Sequence, residues 1–341
     1  MKKLQETMYI LTPDSYVYHR NENICISIGG QEKASVPVSR VDAIVFFGKN
    51  SLSTSLIRFC GQHNVTLTFL DSNGQFYGNA FGPVSGNVLL RKKQYESISH
   101  SNFTVGLVRD ILYGKICNSK NMLMRYARNC KKEETAEHLY QGAILLSEAA
   151  KKLSECQDVD SLRGVEGAAA TIYFARFDDM LASPNGFQFE VRSRRPPLNE
   201  VNAVLSFLYT QLVHDARSAL ETVGLDPAAG YLHTLRPGRP SFALDLMEEL
   251  RAPLCDRLTI TLFNRGQLSD SDFQNDASAV YLNDKGRKKV LTAWRNRKQE
   301  EIKHPFLNEK ISIGLIPYVQ AMLFARVLRG DLDRYPPFVW R

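Results

Sequence analysis

Asp245, Glu248 and Glu249 crowd three carboxylates into the segment Pro240–Arg251, and His233 precedes them by one turn-rich loop. At 100° per residue, Phe242, Leu246, Met247 and Leu250 fall on one arc and the three acids on the opposite one, so the spacing predicts a short amphipathic helix over 240–250. Carboxylates packed together beside an imidazole repel one another and call for a cation. Asp245 and Glu248 are i,i+3 neighbours and Asp245 and Glu249 are i,i+4 neighbours, so they can converge on one ion, or hold one while a third acid orients a ligand. A further acid, Glu166, interrupts the small, apolar run Gly164–Ala175. Its neighbours Gly164, Gly167, Ala168, Ala169 and Ala170 point to close helix packing, and a carboxylate buried there without a partner is costly. Glu166, His233 and Glu248 form the candidate metal set, and Asp245 is the next candidate catalytic acid.

Each of these residues has a plainer reading. The acid cluster can be a solvated helix face. Glu166 can pair with Arg163 or Arg176, and His233 can be a surface residue of the loop Gly224–Pro240, which holds three glycines and three prolines. The same loop carries Arg236 and Arg239 beside the acids, a combination suited to a metal and a phosphate held together. One imidazole with carboxylates suits Mn²⁺ and tolerates Mg²⁺ with waters; ligand type alone leaves zinc open. Such a cation would polarise a phosphodiester.

Two basic stretches read as contacts to a nucleic-acid backbone. Arg192, Arg194 and Arg195 precede Pro196-Pro197. Residues 285–298, including Arg287 and Lys288, carry seven basic residues and no acid, with Trp294 among them. A phosphate-tracking stripe with an aromatic contact is the sharp reading, and a solvated helix face the plain one. No GxxxxGK[ST] loop, no GxGxxG opening a helix after a strand and no GxSxG elbow occurs, which sets aside the common nucleotide-binding and hydrolase patterns.

The 341 residues exceed one simple core and fit two domains. Formal net charge is +7. Residues 1–90 hold 7 Lys+Arg and 6 Asp+Glu, and the remaining 36 and 30 give the rest a balance of +6, so the excess lies with the acid–His cluster. A basic protein of this kind fits a polyanion partner. The six cysteines form no CxxC pair, against a structural zinc site and for buried thiols in a reducing, cytoplasmic setting. No apolar run reaches signal-peptide or membrane-spanning form.

Alternating and continuous apolar runs predict strands through residues 1–82, with one helix over Ser53–Gly61. Residues 83–90, rich in Gly, Pro and Ser, read as a linker. Residues 91–341 read as helical, over roughly 90–118, 119–131, 133–154, 159–182, 199–223, 240–250, 252–266, 285–301 and 313–329, with a β-like interruption at 275–282. Asn199 is a fit N-cap and Gly224 a fit stop for the 199–223 helix. The fold class is therefore α+β: a small N-terminal β-rich domain followed by a larger all-α domain.

The runs RGVEGAAATIYF (163–174), RSRRPPLNEVNAVLSFLYT (192–210), GLDPAAGYLH (224–233) and RPGRPSFALDLMEELRAPLCDR (236–257) resemble those of the CRISPR adaptation integrase–endonuclease, the first-numbered Cas protein, in a form closest to type I subtype C. The resemblance extends over nearly the whole chain. It implies a homodimer formed largely through the β-rich domains, and assembly with the small second Cas protein to capture short duplex DNA. The family's glutamate falls on Glu166, its histidine on His233, its final acid on Glu248 and a further acid on Asp245. The implied reaction is a transesterification assisted by Mg²⁺ or Mn²⁺, in which a 3′-hydroxyl of the captured duplex attacks a phosphodiester at a CRISPR repeat. Water in place of the hydroxyl gives nuclease activity. Arg236, Arg239 and the Arg192–Arg195 cluster are expected at phosphates, on charge and position alone. The competing readings are a non-catalytic DNA-binding scaffold and a general metal-dependent nuclease.

Overall fold

The structure is a computed structural model; it describes residues 6–71, 76–80, 88–194, 196–276 and 279–340. Chain contacts gather Met1–Ser85 with Leu282–Lys288 into one unit and Gly86–Tyr281 with Lys289–Arg341 into a second.

The first unit is built on strands β1 (Glu6–Ile10), β2 (Tyr16–Arg20), β3 (Asn23–Ile28), β4 (Gln31–Pro37), β5 (Val41–Phe47) and β6 (Ser51–Leu52), helix α1 (Thr54–Gln62), and strands β7 (Thr66–Leu70) and β8 (Phe76–Ala80). They form two four-stranded sheets, β1-β5-β7-β8 and β4-β3-β2-β6. The continuous apolar run Ala43–Phe47 lies in β5, which is flanked by parallel β1 and β7 with Val45 opposite Tyr9 and Thr68. A strand covered on both faces needs such a run, and Ile44 to Phe47 are all buried. β2 and β3 pair antiparallel, with Val17 opposite Ile26. Ser53 caps α1 by accepting the Leu56 N–H at 3.1 Å. Ile24, Ile44, Leu56 and Leu67 meet in the core of this unit.

The second unit holds α2 (Val88–Ile98), α3 (Ser101–Asn129), α4 (Glu133–Lys152), α5 (Val159–Phe174), α6 (Glu200–Val223), α7 (Ser241–Met247) and α8 (Arg257–Asn264). The hairpin β9 (Phe273–Asp276)–β10 (Ala279–Leu282) follows, then α9 (Asp284–Gln299), of which the residues up to Lys288 group with the first unit as Leu282 does, the hairpin β11 (Glu301–Lys303)–β12 (Lys310–Ser312) and α10 (Ile316–Arg329). It is mostly helical rather than all-α. One hairpin sits where the β-like interruption was read, whereas the other is too short to show a period in sequence. The expected break at 118–119 is absent: α3 runs unbroken for 29 residues, and the chain turns instead at residues 99–100. Of the expected linker, residues 83–87 lie outside the described residues, and Val88–Leu90 open α2. α6 begins and ends where its sequence signals place it, with the Asn199 side chain accepting from Asn202 N and Gly224 left-handed at φ 91°. Cys25, Cys60, Cys117, Cys156 and Cys255 are buried. Among the described residues no helix is long and apolar enough to cross a membrane.

Candidate active site

The loop that carries His233 is held from three sides. On α2, the buried Gln94 donates to the Asp226 and Ala229 carbonyls and accepts the Asp226 N–H at 2.8 Å, and the Ser97 hydroxyl meets Tyr231 Oη at 2.8 Å. On α5, Arg163 Nε donates to Leu232 O at 3.0 Å. On α7, the buried Asp245 accepts the backbone N–H groups of Tyr231, Leu232 and His233 at 2.6, 3.0 and 2.9 Å. Gly230 makes this fit: a Cβ there would meet Ser241 Cβ at 2.6 Å. Arg163, offered as a partner for Glu166, is therefore spent on the His233 loop, and Arg176 donates to the His138 and Ile172 carbonyls.

The predicted single helix over 240–250 does not form as such. α7 ends at Met247, tightens into a 3₁₀ turn at Glu248–Leu250 and widens into a π-helical turn at Arg251–Asp256. Phe242, Leu246, Met247 and Leu250 are buried as expected, but so are all three acids; the solvated-face reading fails. The three acids meet different surroundings. Asp245 is occupied by the 231–233 backbone and by His233 Nδ1 at 2.6 Å. Glu249 points into the C-terminal tail, where it accepts from Tyr335 Oη at 2.6 Å, Gln320 Nε2 at 2.8 Å and Phe338 N at 2.8 Å. Burial pushes its carboxyl up to about 8 against those three donors. Only Glu248 turns toward Glu166.

Between Glu166 and Glu248 stands a residue that the sequence reading missed. Lys115, from the middle of α3, pairs with Glu166 Oε1, and its Nζ lies 2.7 Å from Glu248 Oε2. Arg251 Nη2 holds the other oxygen of Glu248 at 2.8 Å, and His233 Nε2 is 3.8 Å from it. Burial alone would raise the Glu248 carboxyl. The Arg251 guanidinium, the Lys115 ammonium and His233 outweigh it and hold the group at about 2. Arg251 was legible as the i,i+3 neighbour of Glu248. Lys115 carried no signal, being a lone lysine on a long helix.

A divalent cation can be tested against these residues. Among those described, no three His, Cys, Asp or Glu side chains close on one point as a metal's ligands do, because the Lys115 ammonium stands between the two glutamates. The donor set itself fits. Two carboxylates already share one cation, and Asp245 engages Nδ1 of His233 so that Nε2 faces Glu248, the outer-shell arrangement common to metal-binding histidines. Of the small residues around Glu166, Ala169 is buried and Ala170 half-buried on the packed side of α5, while the others face outward. Gly164, Gly167, Ala168 and Thr171 are exposed, and a Cβ on either glycine would meet nothing within 4 Å. They leave an open approach beside Glu166.

A cleft lined by Lys115, Glu248, Arg251, Tyr209, Tyr173 and Arg194 adjoins the site. Arg194 is exposed. Arg192 is not available to a ligand in the way its sequence position implies. It donates to Asn202 Oδ1 at 2.8 Å and Ser206 Oγ at 3.3 Å, and lies over the Tyr209 ring at 5.3 Å. Arg195 lies outside the described residues. Arg236 is exposed and Arg239 half-exposed on the loop between His233 and α7. The 285–298 stretch is largely committed to the fold. Arg287 is buried, donates to Leu282 O at 2.7 Å and pairs with Asp284. Lys289 pairs with Asp272 and Lys298 with Asp215, and Trp294 is fully buried rather than displayed between the charges. Lys288 is exposed.

Comparison with known proteins agrees with this fold. Residues 8–296 match the family described as CRISPR associated protein Cas1. A CRISPR-associated endonuclease Cas1 of Chlorobaculum tepidum is 46% identical over 343 residues, which span all of both chains. A CAS1 protein from Thermotoga maritima shares the fold with a TM-score of 0.83 at 24% identity, over 96% of this chain and 97% of that one. A casposase solved bound to its integration product gives the same TM-score at 19% identity, over 99% and 95%. By its family match and by its identity to a full-length relative, this chain belongs to the Cas1 family.

Proposed function

We propose that this chain is a metal-dependent DNA integrase and endonuclease of CRISPR adaptation, which captures short duplex DNA and joins it to a CRISPR repeat by transesterification. The observation that carries this reading is the meeting of Glu166 and Glu248, from separate elements, on one cation, with His233 Nε2 3.8 Å from the second carboxylate. Relatives named endonucleases and a casposase of the same fold solved with an integration product support it.

Glu166, His233 and Glu248 would hold Mg²⁺ or Mn²⁺, which when bound supplies Lewis-acid charge at a phosphodiester. The chain's own residues do the rest. Asp245 keeps the His233 ring in one orientation. Arg251 keeps Glu248 ionised at any working pH. The exposed small face of α5 lets a DNA backbone approach Glu166 closely, and Arg194, Arg236 and Arg239 offer charge to neighbouring phosphates. A 3′-hydroxyl brought to this place joins DNA ends, whereas water there cuts them. The β-rich unit would form the homodimer, the small second Cas protein would complete the complex, and the DNA substrate places the work in the cytoplasm.

The test is an integration assay with the purified chain, its second Cas protein, a labelled duplex, a plasmid bearing the repeat, and Mn²⁺. Label joined to the repeat is the expected product. Cut plasmid without joined label would make this a general nuclease, and DNA binding with neither product would make it a scaffold.

A further inference from the structure

Lys115 lies where a resident cation would be expected. Its side chain is only 16% exposed, its ammonium reaches both Glu166 and Glu248, and Glu248 itself is 4% exposed. An ordinary structural ion pair joins one charge to one charge. Here three carboxylates, those of Asp245, Glu166 and Glu248, share one neighbourhood with two cationic side chains, Lys115 and Arg251. The formal sum is −3 + 2, or −1. Replacing the Lys115 charge by a divalent ion gives −3 + 1 + 2, which is zero.

The two cations are also built differently. Arg251 is locked, with Nη2 on Glu248 and its guanidinium over the Tyr209 ring at 4.9 Å. Lysine carries a compact charge on a flexible four-carbon stem, so it can leave its partners without disturbing the helix that bears it. Lys115 also lines the cleft that Arg194 borders, so an ammonium released from the glutamates stays where phosphate oxygens would be its natural partners.

We propose that Lys115 is the site's own exchangeable counter-ion: it holds Glu166 and Glu248 together until a divalent cation takes them over, and then turns to the DNA phosphate. The inference rests on the metal-site reading above. It makes Lys115 a positioning residue that sets how readily the metal binds.

The experiment uses the full chain and Mn²⁺ alone, without DNA. Calorimetric titration compares the wild type with Lys115→Met, and thermal melts are recorded in EDTA and in Mn²⁺. With the competing charge gone, Lys115→Met should bind Mn²⁺ about tenfold more tightly or better. It should melt earlier than wild type in EDTA, because Glu166 then loses its partner and faces Glu248 with no cation between them, and it should gain more from Mn²⁺. Equal or weaker Mn²⁺ binding by a folded Lys115→Met protein overturns the exchange while leaving the metal site standing. Absence of Mn²⁺ binding by both proteins overturns both. A second measurement needs no variant: amine-reactive labelling of wild-type Lys115, read by mass spectrometry, should rise several-fold on adding Mn²⁺. Labelling that is unchanged or lower at saturating Mn²⁺ contradicts the release.

Discussion

His233 Nδ1 lies 2.6 Å from Asp245 Oδ1, and this contact decides which ring nitrogen is left for chemistry. A carboxylate only accepts, so Nδ1 turns a proton toward Asp245, and Nε2, 3.8 Å from Glu248 Oε1, is the ring nitrogen that faces the site. Asp245 also takes three backbone N–H groups from residues 231–233, so it fixes both the loop and the ring. Asp245→Asn keeps the shape and puts a donor where an acceptor is needed. Mn²⁺ affinity should fall by about 10–100-fold, and stability by roughly 1–3 kcal/mol. Calorimetry and urea melts read the two effects, and an unchanged Mn²⁺ affinity would remove Asp245 from the support of the site.

Arg192 and Arg194, two residues apart, should behave in opposite ways. Arg192 is anchored to Asn202 and Ser206 over Tyr209, so Arg192→Ala should lower stability by about 1–3 kcal/mol through unmade hydrogen bonds. Arg194 is exposed at the cleft, so Arg194→Ala should fold normally and weaken binding to any duplex. One lost phosphate contact should reduce the slope of log affinity against log salt by about 0.9. Salt titrations on one duplex measure this, and a slope unchanged in Arg194→Ala would move the DNA path elsewhere.

Sequence reached the site through residues whose chemistry is local. Glu166 stands out among tiny neighbours, His233 sits in a loop of prolines and glycines, and Asn199 and Gly224 bound α6 by rules that act within one turn. What it missed depends on tertiary placement. The acids of 245–249 share one arc on a helical wheel, yet Asp245 meets the 231–233 backbone and His233, Glu248 meets Lys115 and Arg251, and Glu249 meets the C-terminal tail. The partner of Glu166 is Lys115, which no spacing connects to it. Arg287 and Trp294 read as a DNA-facing stripe because a basic run gives no sign that its members are taken up by Leu282, Asp284 and the core.

The C-terminal tail bears on the site through Glu249, the neighbour of Glu248. Asn118 Nδ2, from α3, donates to both Glu249 O and Phe338 O at 2.7 Å, and Tyr335 Oη donates to the Glu249 carboxylate. Tyr335→Phe removes one of that buried carboxylate's donors and should cost about 1–3 kcal/mol in urea denaturation. A loss of less than a few tenths would mean that the tail is not part of the support behind Glu248.

His214, on α6, gives a pH signature independent of the metal. Burial, and then the charge of Arg217, lower its imidazole from 6.5 to about 4. The unfolded chain therefore takes up a proton below about 6.5 that the folded chain refuses until about 4. The stability that rests on neutral His214 is complete above pH 6.5 and is lost as the pH falls toward 4, by roughly 2–3 kcal/mol. Denaturation of wild type and His214→Asn across this window should show a steeper fall in the wild type. Parallel curves would contradict the assignment.

The proposed chemistry rests on Glu166, His233 and Glu248 acting together on a phosphodiester. The most direct measurement is strand transfer by Glu166→Ala, His233→Ala and Glu248→Ala in Mn²⁺, with DNA binding and thermal melting recorded on the same preparations. Each variant should remain folded and bind duplex, and each should lose transfer by about a hundredfold or more, since one lost ligand misplaces the cation for the other two. Full transfer by a folded His233→Ala protein would contradict the shared site.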